Sequence, residues 1–160
     1  MENLSQEELN ERIAVLRRFR TLLEQQRAKF AEYLNVLECQ EAKISQEDTQ
    51  SLMNHTELEG QIVSSISSLQ KVIIPIRTMY EKERSFYSPE DAVPVETIQK
   101  ELDSLQQKVI AQNERNRNLL KSHLSQIRQQ IDSFKNPYRN AASVYARNSA
   151  SAGTRIAIEV

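Results

Sequence analysis

A chain of 160 residues with two glycines, four prolines and one cysteine has the length of one domain. It has too little punctuation for the many tight turns of a sandwich or barrel, and Gly60 and Gly153 cannot assemble a Gly-rich phosphate loop. With 39% hydrophobic and 27% charged residues, it is too apolar for wholesale disorder and too polar for a thick enclosed core, which points to elongated helices sharing a narrow apolar seam.

The formal charge of -1 conceals a division. Residues 115–160 carry eight Lys/Arg against Asp132 and Glu159, a balance of +6 that leaves -7 for residues 1–114. A single cysteine, Cys39, forms no intramolecular disulfide, and the start of the chain has neither the basic nor the apolar region of a secretory signal. No window approaches the 18 apolar residues of a membrane span, so no stable membrane insertion is expected and the protein reads as soluble and intracellular.

The first predicted helix covers about residues 5–44. It opens at Ser5-Gln6-Glu7-Glu8, where the hydroxyl and the carboxylate of a capping box satisfy free amides of the first turn. Leu9, Leu16, Leu23, Phe30, Leu37 and Ile44 then recur every seven residues, the spacing that favours left-handed supercoiling against a partner. A phase change near Lys43 to Glu47 marks a short reversal, with Ser45 or Asp48 as the cap of the next helix.

The second predicted helix runs over about 48–86, with Leu52, His55, Leu58, Ile62, Ile66, Leu69, Ile73, Ile76 and Tyr80 at spacings of three or four. Pro75 inside it predicts a kink or break near Lys71 to Pro75, since proline removes an amide hydrogen bond and crowds the carbonyl four residues back. Tyr87 to Pro94, with two prolines and an acidic pair, reads as a loop.

The third predicted helix covers about 95–135 and ends before Asn136-Pro137. Its seam has two halves, Ile98, Leu102, Leu105 and Val109, then Leu120, Leu124, Ile127, Ile131 and Phe134. Between them Gln112 to Asn118 places seven polar residues in succession, a stretch that does not anchor a dry core and that divides the half packing at home from a half that need not. The whole predicts an all-α fold: an elongated antiparallel bundle or coiled coil of three long helices forming one domain over residues 1–135. Residues 136–160, rich in Ala, Ser, Asn and Arg, are expected to form a flexible C-terminal tail.

Catalysis finds poor material here. His55 and His123 stand on apolar stripes of different helices with no Cys or carboxylates at metal-ligand spacing, and the Glu-x-x-His of a diiron bundle is absent, so no enzyme, metal site or cofactor is expected. The basic end, with Arg115, Arg117, Lys121, Arg128 and Lys135 beside Phe134 and Tyr138, resembles a nucleic-acid surface only superficially. Its charges are spread round the helix, and cations are also favoured near a helix C-terminus. The stripe of Leu119, Leu120, Leu124, Ile127, Ile131 and Phe134 is the better lead, because a row of this spacing grips an amphipathic helix from another chain.

The order of features resembles the FlgN family of flagellar type III export chaperones. It rests on Leu22-Leu23-Glu24 through Leu37-Glu38 with Ile44 and Asp48, on the row Leu52, Glu59, Ile62 and Leu69, and above all on Asn116-Arg117-Asn118-Leu119-Leu120 followed by Leu124, Ile127 and Asn136-Pro137-Tyr138. The resemblance implies a cytoplasmic chaperone that binds the helical C-terminal segments of hook-associated proteins, FlgK and FlgL, and delivers them to the export-gate component FlhA. It implies that Leu119 to Phe134 grip the client and that Tyr138 or Tyr145 serves the gate. The alternative is a homo-oligomeric scaffold, a homodimer at its simplest, in which the row from Leu9 to Ile44 pairs with its own copy.

Overall fold

A computed structural model of the chain describes residues 4–134. Three long helices follow one another, α1 (Gln6–Ser45), α2 (Thr49–Glu83) and α3 (Pro89–Phe134), with one turn of 3-10 helix at Arg84–Phe86 before α3. The expected all-α bundle is present, and among the described residues there is no strand. No helix is long and apolar enough to cross a membrane among those residues.

The ends of the helices follow from local chemistry. Ser5 closes the predicted capping box: the Glu8 amide donates to its hydroxyl at 3.2 Å, and its own amide donates to the Glu8 carboxylate at 2.9 Å. The reversal after α1 is set by a residue that gives no obvious turn signal. Glu47 sits in the left-handed region at φ 57°, its amide donates to the Ile44 carbonyl, and the Asp48 amide donates to the Lys43 carbonyl. This is the double bond pattern that ordinarily favours glycine at the left-handed position. Asp48 then caps α2 by accepting from the Ser51 amide at 3.1 Å and the Ser51 hydroxyl at 2.7 Å, bonds that hold its carboxyl below the usual aspartate range. Glu47→Gly is expected to raise the melting temperature. Removing the left-handed strain is worth about 1 kcal/mol, partly offset by the loss of the carboxylate facing His123, and thermal denaturation of the two proteins side by side checks it.

Two expectations about proline are corrected. Of the kink or break expected near Lys71 to Pro75, the break does not occur, and α2 continues through Pro75. Pro75 and Lys71, whose carbonyl loses its partner, both lie on the exposed side, while Ile73 and Tyr80 anchor the opposite face in the core. The predicted loop over Tyr87 to Pro94 is largely helix, because α3 begins at Pro89 rather than near Val95. Ser88 accepts from the Asp91 amide at 3.3 Å, and Pro89 follows it at the first helical position, where the missing amide costs nothing.

α1 is the central helix, packing along both α2 and α3, which approach each other much less closely. The pairs Tyr33–Glu59 and Gln26–Gln70 run α2 antiparallel to α1, whereas Arg27–Glu101 and Glu41–Arg115 run α3 parallel to it. The core has two parts. Phe19, Leu22, Leu23, Ile73, Tyr80, Val95, Ile98 and Leu102 form one, with the Phe19 and Tyr80 rings 4.9 Å apart. Tyr33, Val36, Leu37, Ile62 and Val109 form the other, nearer the α1–α2 turn. Tyr87 pins the α2–α3 connection: its ring stacks on Tyr80 and its hydroxyl lies 2.9 Å from the Arg12 carbonyl and 2.8 Å from the Glu83 carboxylate. Burial, reinforced by the bond to Glu83, pushes that phenol's pKa upward.

Candidate functional site

The first half of the α3 seam goes where its spacing directs it, with Ile98, Leu102 and Val109 buried against α1 and α2. The polar interruption beyond Val109 does not loosen the helix. Gln112, Asn113 and Asn116 are buried, and Asn116 is 2% exposed. The Asn116 amide donates to the Leu37 carbonyl at 2.9 Å and to Gln40 Oε1 at 3.1 Å, and the Gln112 amide donates to Asn116 Oδ1 at 3.0 Å and to the Glu41 carboxylate at 2.6 Å.

Below them Gln40 donates at 3.4 Å and the Tyr33 hydroxyl at 3.0 Å to the buried Glu59 carboxylate of α2. Burial, and then the charge of Glu59, hold the Tyr33 phenol protonated well above its ordinary range, with Arg117 opposing. The stretch from Gln112 to Asn118, expected not to anchor a dry core, is packed all the same through polar side chains. Its Gln112 and Asn116 belong to a buried amide and carboxylate layer that joins all three helices, and sequence reasoning missed it because the partners, Tyr33, Gln40 and Glu59, lie on α1 and α2. The one available signal was Gln40 and Glu59, polar residues among apolar seam positions.

The interruption does mark a boundary, one layer further on. Leu119 and Leu120 are half-buried at the edge of the body. His123 Nδ1 lies 3.3 Å from the carboxylate of Glu47 in the α1–α2 turn, and that is where the facing helices end, since α1 stops at Ser45 and α2 starts at Thr49. From Leu124 to Phe134 every residue of α3 is exposed. Among the described residues no hydrogen bond or ion pair ties this segment to α1 or α2.

About 16 Å of helix thus projects past the hairpin. Leu124, Ile127, Ile131 and Phe134 lie at spacings of three and four on the same face as the buried Val109, Asn113 and Asn116, so the stripe continues the seam with nothing laid against it. They are 40%, 45%, 47% and 86% exposed. Tyr138 and Tyr145 lie outside the described residues, as does the expected tail.

The long row of α1 behaves differently. Leu23, Leu37 and Ile44 are buried within this chain, Leu16 and Phe30 pack against the core, and only Leu9 stays exposed.

The sequence of this projecting seam and the body beneath it fall within a match to a family model described as "FlgN protein", which covers residues 15–152. The chain belongs to the FlgN family. It is also 35% identical over 132 residues to an uncharacterized protein of Treponema pallidum (strain Nichols), a match covering 82% of each chain. No solved structure matches it. FlgN membership supports a flagellar export chaperone in general, from a family of chaperones rather than enzymes. In this FlgN protein an apolar helical face stands clear of the packed body.

Proposed function

We propose that this FlgN-family protein is a cytoplasmic chaperone of hook-associated proteins of the FlgK and FlgL type. The stripe from Leu119 through Phe134 covers the amphipathic C-terminal helix of the client, and Tyr138 or Tyr145 presents the loaded complex to the export-gate component FlhA. The observation that carries this reading is the exposed row of Leu124, Ile127, Ile131 and Phe134 on a helix that has outrun its partners. Assembly proteins polymerise through sticky helices, and a helix laid along this row buries that surface on both sides.

Contacts confined to about three turns of helix favour an affinity that is reversible, as delivery to a gate requires. The homo-oligomer reading is less well supported, because the α1 row it would use is largely spent inside the chain.

Titration of a fluorescent peptide from the C-terminal helix of a FlgK-type protein checks the reading by anisotropy. Saturable one-to-one binding by the full chain is expected. A chain that ignores the peptide and instead sediments as an oligomer stable to dilution would sink it.

A further inference from the structure

An exposed apolar stripe poses a physical question, because a shift of α3 along α1 would bury part of it. The rows that α3 turns inward repeat every seven residues, Val95, Leu102, Val109 and Asn116 in one and Ile98, Leu105, Gln112 and Leu119 in the other. A seam with this repeat packs almost equally well after a slip of one heptad, about 10 Å. A slip toward the Arg84–Phe86 end would bring Leu124 level with the hairpin, in the place of Arg117, carry Ile127 to the half-buried place of Leu120, and shorten the projecting segment by more than half.

We propose that the buried layer of Gln112 and Asn116 on α3 with Gln40 and Glu41 on α1 is a positioning device that fixes the register of α3 and so holds the client-binding stripe outside the body. The proposal rests on the client-binding role given above. In the slipped register Asn116 would take the place of Val109, among Tyr33, Val36, Leu37 and Ile62, and Gln112 the half-buried place of Leu105, so both amides would leave the acceptors they now meet. Leu119 and His123 would arrive opposite Gln40 and Glu41, removing the amides that now donate to Gln40 Oε1 and the Glu41 carboxylate.

Orphaned polar groups on both sides therefore oppose a movement that apolar burial alone would favour. Fixing register is the best-attested use of polar groups buried in a helical seam. The Tyr33–Glu59 pair lies wholly between α1 and α2 and survives the slip. Discrimination thus belongs to the groups that α3 contributes and their acceptors on α1.

Spin labels on exposed Gln25 of α1 and Gln126 of α3, with Cys39→Ser, read the register directly as a distance between labels in the full chain. The native layer is expected to give one distance. An apolar layer (Tyr33→Phe, Gln40→Leu, Glu59→Leu, Gln112→Leu, Asn116→Leu) is expected to add a population about 10 Å shorter and to weaken binding of the FlgK-type helix peptide about tenfold or more. The milder pair Gln112→Leu and Asn116→Leu serves if the fivefold variant does not fold, and carries the same expectation.

A folded variant that keeps the single native distance overturns the proposal, and so does one that slips yet binds the peptide as before. A wild-type chain that never binds the peptide sinks the client-binding role instead, while the distances still decide whether the layer sets the register.

Discussion

Leu124→Asp combined with Ile131→Asp is expected to abolish binding of the client helix, by about 100-fold or more, while leaving the fold as stable as before. Each aspartate would put an uncompensated carboxylate at the centre of the contact, where burying a charge without a partner costs several kcal/mol. The same substitutions cost the free protein little. Leu124 is 40% and Ile131 47% exposed, and nothing in the hairpin faces them, so a surface change within about 0.5 kcal/mol is expected. Anisotropy titration read beside thermal denaturation separates the two quantities. Unchanged peptide binding with helicity retained would remove the stripe from the site. A loss of stability equal to the loss of binding would show that the projecting segment packs at home after all.

Phe19→Ala is expected to act in the opposite sense, costing about 3–5 kcal/mol of folding stability. Phe19 is fully buried where all three helices meet, among Leu23, Tyr80 and Val95, with the Tyr80 ring 4.9 Å from its own. Its removal opens a cavity that three long packed helices do not readily collapse to fill. Against a total stability on the order of 5–15 kcal/mol for a domain, that is a large share. The urea midpoint should fall steeply, with the slope little changed. Ile74→Ala, at a position 52% exposed, is the control and should stay within about 0.5 kcal/mol. Equal effects at the two positions would contradict the packing described for α1.

Much of the fold was legible from residues taken one stretch at a time. The capping box at Ser5, the seven-residue row from Leu9 to Ile44 and the cap of α2, narrowed to Ser45 or Asp48, each act within a few turns of chain, and a local signal goes far where a local bond does the work. Proline misled because its effect depends on which side of a helix it occupies. Pro75 sits on the wet face of α2, and Pro89 at the first position of α3 helps to start a helix that a run with two prolines had concealed. Glu47 in a left-handed turn could not be anticipated either, since nothing in its side chain favours that conformation.

The candidate site divides along the same line. The amphipathic row from Leu119 to Phe134, the break before it and the likeness to the FlgN family were all present in the order of the residues. That Gln112, Asn113 and Asn116 are buried rather than solvated depended on Gln40, Glu41 and Glu59, more than 50 residues earlier in the chain, and pairing across that distance exists only once three helices lie side by side. Which part of the row stays free depended on a length that no periodicity contains, the point at which α1 ends relative to α3. Periodicity determined that α3 has an apolar face along its whole length, because side-chain direction repeats with the helix. Only the tertiary structure decided that this face has nothing to lie against over the last eleven described residues of α3, because burial requires a neighbour and the neighbours stop at the turn through Glu47.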